Sequence, residues 1–102
     1  MGKKRPERTA RRIDERAARQ LVRDRERLAL LSPGGARERP IPVPSASVVE
    51  VRAHAMPCPQ CGGELRVGEH RVDDGLRVVA VSCNQCSAKR ELWFRLVSDE
   101  PN

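Results

Sequence analysis

The sequence predicts a small α+β protein in which a basic helix and a linker precede a three-stranded antiparallel sheet, and three observations carry that expectation. Four cysteines fall into two CxxC pairs, Cys58 with Cys61 and Cys83 with Cys86. Around them, runs rich in β-branched and apolar residues read as strands, two of them joined at Asp73-Asp74-Gly75, a strong hairpin signal. Ahead of them the charge is lopsided: residues 1–40 hold 13 Lys+Arg against 6 Asp+Glu, and the remainder 7 against 8, so the net charge of +6 belongs to the N-terminal part.

Taken in order, residues 1–5 are charged with nothing to bury and are expected to be disordered. Pro6 and Glu7 suit a first helical turn, which opens a helix expected to run to Leu31. At about 100° per residue, Ala10, Ile13, Ala17, Leu21, Leu28 and Leu31 form one thin stripe, interrupted by Asp24. Ser32-Pro33-Gly34-Gly35 ends the helix, because proline disfavours helix before it and glycine permits a left-handed exit. Pro40, Pro42 and Pro44 then favour extended, polyproline-like backbone, so helix (1–32) and sheet (48–98) are expected to be semi-independent across a linker (33–47), with a short tail at 99–102. Val48–Arg52 has strand composition; Glu64–Val72, Leu76–Ser82 and Arg90–Val97 read as the sheet.

Such a chain needs a staple. Trp93 and Phe94 are its only aromatics and 33% of its 102 residues are charged, so little apolar surface offsets chain entropy. Two residues between thiolates let one tight turn aim both sulfurs at one metal, with Gly62-Gly63 easing the exit from the first turn. The hairpin returns Cys83 and Cys86 beside Cys58 and Cys61, which closes a four-thiolate site. Two disulfides would use the same residues in a secreted domain. The N-terminus lacks an apolar export core, which favours a reducing, cytoplasmic setting and metal ligation, and no stretch is long enough to enter a membrane.

The stretch from Cys58-Pro59-Gln60-Cys61-Gly62-Gly63 through Cys83-Asn84-Gln85-Cys86 to the Arg90–Leu96 strand resembles the zinc-ribbon family over about 40 residues. The resemblance implies one Zn²⁺ per chain held by Cys58, Cys61, Cys83 and Cys86. The fold class is then a metal-stabilised α+β protein, a three-stranded antiparallel zinc ribbon preceded by an Arg-rich helix and a Pro-rich linker. The second knuckle departs from the pattern, with Ser87-Ala88 where the first has Gly62-Gly63.

A closed four-thiolate site has no position for a reacting water, so no enzyme and no small-molecule substrate is expected. The first function expected is association with RNA or DNA through Arg8, Arg11, Arg12, Arg16, Arg19, Arg23 and Arg27. The alternative is a protein-interaction module. Leu92, Phe94 and Leu96 would share one sheet face and Trp93, Arg95 and Val97 the other. Both faces are apolar, and an uncovered Trp93 would anchor a partner. A rubredoxin-like electron carrier or a thiol redox sensor is a third, minor reading, since four thiolates also hold iron.

Overall fold

The computed structural model describes residues 7–97, so the expectations for 1–6 and for the 99–102 tail lie outside the described residues. The elements run α1 (Glu7–Leu31), β1 (Ile41–Val43), α2 (Ala46–Ala55), β2 (Leu65–Asp73), β3 (Leu76–Cys83) and β4 (Lys89–Leu96). The sheet order is β1-β4-β3-β2, with β1 parallel to β4 and the other pairs antiparallel. The architecture is α+β, but the sheet has four strands and is mixed where three antiparallel strands are expected.

The hairpin expected at Asp73-Asp74-Gly75 forms as a two-residue turn: Asp73 pairs with Leu76, and Asp74 and Gly75 take φ of 52° and 83°. Two left-handed residues give the turn the twist that adjacent strands need. A one-residue shift between Val67 and His70 bends β2 around Gly68.

Two elements correct the sequence reading. Val48–Arg52 is helical, not a strand, because Val49 and Ala53, four residues apart, turn onto the sheet and are fully buried. That burial outweighs the strand preference of Val48, Val49 and Val51. Ser45, in extended conformation, precedes the helix, and Met56, forced extended by Pro57, ends it. Extended backbone does occur in the supposed linker, but Ile41 and Val43 are buried there and add a strand to the sheet edge.

The core lies between α2 and one sheet face and comprises Ile41, Val43, Val49, Ala53, Leu65, Val79, Val81, Leu92 and Phe94, with Cys58 and Cys83 at its end. Leu96, expected to share the Leu92–Phe94 burial, is exposed. On the opposite face Val78 is fully buried beside its cross-strand neighbour Trp93. Part of that face is covered by the turn after α1: the Arg37 guanidinium lies 5.8 Å from the Trp93 ring centroid and bonds Asp74 at 2.6 Å. Trp93 is therefore half-buried against its own chain.

Helix α1 is exposed along most of its length, and only Ala29 is buried. The expected stripe of Ile13, Leu21, Leu28 and Leu31 is 43–66% exposed, so it covers nothing within the chain. The helix end is nevertheless fixed. A Cβ on Gly35 would sit 1.8 Å from the Ala29 carbonyl oxygen, so only glycine lets the turn fold back this closely. Gly34 accepts from the Trp93 amide, which ties the turn to β4. A Gly35→Ala change is expected to lower the unfolding free energy by about 1–3 kcal/mol, measurable by urea denaturation.

Candidate metal centre

The cysteine knuckles stand at the end of the sheet where β2 begins and β3 ends. In the first, the Cys58 carbonyl accepts from Gly62 N–H at 2.7 Å and Cys58 N–H donates to Gly63 O at 2.9 Å. In the second, the Cys83 carbonyl accepts from Ser87 N–H at 3.2 Å and Cys83 N–H donates to Ala88 O at 2.9 Å. The two turns are the same structure. Gly62 takes φ 76° and Ser87 φ 65°, so serine adopts the left-handed geometry at the position where glycine is missing.

All four sulfurs lie within 4.8 Å of one another. Cys58 Sγ stands 3.6 Å from Cys86 Sγ, and Cys61 Sγ 3.4 Å from Cys83 Sγ. Tetrahedral coordination with metal–sulfur bonds of about 2.3 Å requires sulfur separations of about 3.8 Å, so the donor set fits one metal ion. Backbone amides point inward as they do around thiolates: Gln60 N–H on Cys58, Gly63 N–H on Cys61, and Gln85 and Cys86 N–H on Cys83, at 3.3–3.4 Å.

The amides of Cys86 and Gln85 hold the Cys83 thiol down to about 6. At Cys61 the Gly63 amide pulls the same way, but the crowding Cys83 sulfur, burial and the Cys86 and Cys58 sulfurs together push its thiol up to about 12. Sulfurs this close cannot all ionise without a cation among them. Cys58 and Cys83 are buried while Cys61 and Cys86 are exposed, so the centre has a wall of protein on one side and solvent on the other.

The centre also touches α1, a contact the sequence reading did not anticipate. Gln60, between the first two cysteines, donates from Nε2 to Val22 O at 3.0 Å and to Glu26 Oε1 at 3.1 Å. Its own carbonyl accepts from Arg25 Nη1 at 2.6 Å. Glu26 Oε1 further accepts from Arg90 Nη2 at 2.7 Å, and the Arg90 side chain is only 7% exposed. Arg90 shares the core face of β4 with Leu92 and Phe94, so Glu26 balances a charge that the sheet has desolvated. The two parts read as semi-independent are thus bolted together through the knuckle. No local pattern announces such a contact between residues 22–26 and 60–90; the one signal was a lone arginine in the apolar alternation of β4.

Glu26→Ala should lower stability by about 2 kcal/mol by leaving the buried Arg90 uncompensated. The hydrogen bonds from Gln60 and Arg90 outweigh burial, which acts in the opposite sense, and hold the Glu26 carboxyl below its ordinary 4.5. A lowered carboxyl contributes stability above its unfolded pKa and loses it as pH falls through the folded one. Helix docking is therefore expected to weaken below pH 4.5, which a pH series of urea midpoints, wild type against Glu26→Gln, would show.

Of the arginines considered for nucleic acid, Arg8, Arg11, Arg12, Arg16, Arg19, Arg23 and Arg27 are all exposed on α1 and distant in sequence from the knuckles. The two histidines lie outside the sulfur cluster: His54 pairs with Glu64 at 2.9 Å and His70 stands 3.9 Å from Glu50. Compared with protein-family models, curated proteins and solved structures, the chain matches none. The centre is a four-cysteine cluster able to hold one metal ion. No helix among the described residues is long and apolar enough to cross a membrane.

Proposed function

We propose that the chain is a non-enzymatic zinc-ribbon module that presents a basic helix to nucleic acid. The observation that carries this reading is the placement of arginine on α1. Arg8, Arg12, Arg16, Arg19, Arg23 and Arg27 follow one another at spacings of four, four, three, four and four residues. At 100° per residue they share a single arc about 100° wide, a row about 29 Å long. Among the described residues none of the six makes an ion pair, and Arg23 alone makes a side-chain hydrogen bond, to Gln20. Arg11 and Arg25 fall on the arc that faces the knuckle and do not belong to the row.

A straight row of unneutralised guanidinium groups suits a phosphate backbone, whose counterions it displaces. Four thiolates with sulfur separations near the tetrahedral value favour Zn²⁺ as the staple and leave no open coordination position for catalysis. The alternative of a Trp93-centred protein interface is less supported, since Arg37 occupies the ring face within the chain.

Binding to a duplex across a salt series is the test. Six contacts give a slope of log K against log salt of about −5, and each Arg→Ala in the row lowers it by about 1. Arg11→Ala should leave the slope unchanged. Undetectable binding at low salt would refute the proposal. Metal analysis decides the staple: one colourless zinc per chain supports the ribbon, whereas a red iron–thiolate centre would turn the reading to electron transfer.

A further inference from the structure

Helix α1 has three faces about 120° apart, and only two are accounted for. One, with Val22, Arg25, Glu26 and Ala29, meets the knuckle and β4. The second is the arginine row. The third is the stripe of Ala10, Ile13, Ala17, Leu21, Leu28 and Leu31, whose four large members are 43%, 47%, 66% and 56% exposed. A polar helix of this length gains little by itself in water, and an apolar stripe broken only by Asp24 calls for a cover.

We infer that the cover is the same stripe of a second copy of this chain, laid antiparallel. The stripe is self-complementary in that direction. Centring the two-fold axis between Gln20 and Leu21 sets Ala10 of one copy against Leu31 of the other, Ile13 against Leu28 and Ala17 against Asp24, so apolar residues meet at both ends of the pair and each aspartate faces a small side chain. On the edge nearest the knuckle, Asp14 comes across from Arg25 of the second copy, two residues out of register and within reach of a long side chain. Parallel pairing is disfavoured by the same stripe, because it would place Asp24 against Asp24 at its centre. In the antiparallel pair Asp24 faces alanine and keeps its own bond from Gln20 Nε2 at 2.8 Å.

The geometry has a consequence for the other two faces. A two-fold axis perpendicular to antiparallel helices keeps equivalent edges on the same side. Both metal-bearing sheets then lie on one side of the helix pair and both arginine rows on the other. Pairing therefore leaves the row accessible and doubles its width.

Sedimentation equilibrium on the full zinc-loaded chain tests this without reference to nucleic acid. A monomer–dimer equilibrium is expected, with a dissociation constant on the order of 100 µM, since a single helix face is a small interface. Leu21→Asp, at a position that buries nothing within the chain, should weaken it at least about tenfold while zinc content and circular dichroism stay unchanged. Asp24→Asn should shift the constant by less than about threefold. A wild type that stays monomeric at millimolar concentration, or a Leu21→Asp variant that dimerises as wild type, overturns the proposal. Tenfold tightening by Asp24→Asn would overturn the antiparallel orientation, because only parallel pairing brings those two carboxylates together.

Discussion

Stripping the metal with a strong chelator at neutral pH is expected to unfold the sheet and release α1 in the same step. Structural zinc in small thiolate sites supplies about 10–16 kcal/mol of apparent binding free energy, more than the whole net stability of about 5–15 kcal/mol usual for a domain. The core holds one aromatic side chain, Phe94, and its knuckle end is closed by Cys58 and Cys83 themselves. Without the ion nothing draws the crowded sulfurs together, and the two turns lose the centre that aligns their amides. Gln60 belongs to the first of those turns, so its bonds to Val22, Arg25 and Glu26 go with it. Strand ellipticity should collapse, Trp93 emission should move to the red, and trypsin should cut faster after Arg25 and Arg27. Loss of the sheet with no change in those two cleavages would show that α1 docks independently of the knuckle. An intact sheet after complete metal loss would remove the staple from the account altogether.

Phe94→Ala is the side-chain change with the largest expected effect, about 4 kcal/mol, as for other buried phenylalanines truncated in a core. Phe94 is fully buried. It sits on the central side of β4, with Ile41 of β1 beside it in register and Arg77 of β3 across from it. Truncation opens a cavity under α2 where Val49 and Ala53 pack. Metal affinity should fall with it, because an ion held by four converging thiolates binds the folded form. The same truncation at Leu28, 66% exposed on α1, is expected to change stability by less than about 0.5 kcal/mol. A Phe94→Ala protein that melts within a few degrees of wild type would place the core elsewhere.

The legible parts of this molecule are those whose signals are local. Cys58 to Cys61 and Cys83 to Cys86 announce their knuckles within four residues each, and Asp74-Gly75 announces its hairpin within two. The alternation in β3 and β4 marked their two faces, and periodicity marked α1. The misread parts depend on partners distant along the chain. Val48-Val49-Glu50-Val51 has strand composition, and its helical state is decided by the sheet that Val49 and Ala53 reach. Signals for that helix were present in the four-residue spacing of Val49 and Ala53 and in the flanking Ser45 and Pro57. Pro40 to Pro44 reads as linker because parallel pairing with β4 is made across about fifty residues. The grip of Gln60 and Arg90 on Glu26 has the same character. Its effect on the candidate site is the larger one, since it ties the helix to the first knuckle by side-chain hydrogen bonds.

The sheet ends in two edges that refuse further strands. On one, β1 is three residues long and its middle residue is Pro42, which has no N–H to offer a newcomer. On the other, β2 bends at its bulge and carries Arg66, Glu69, Arg71 and Asp73 along its length. A four-stranded sheet in so small a protein could recruit stray extended chains and grow into aggregates. Here growth of the sheet is blocked sideways at both edges.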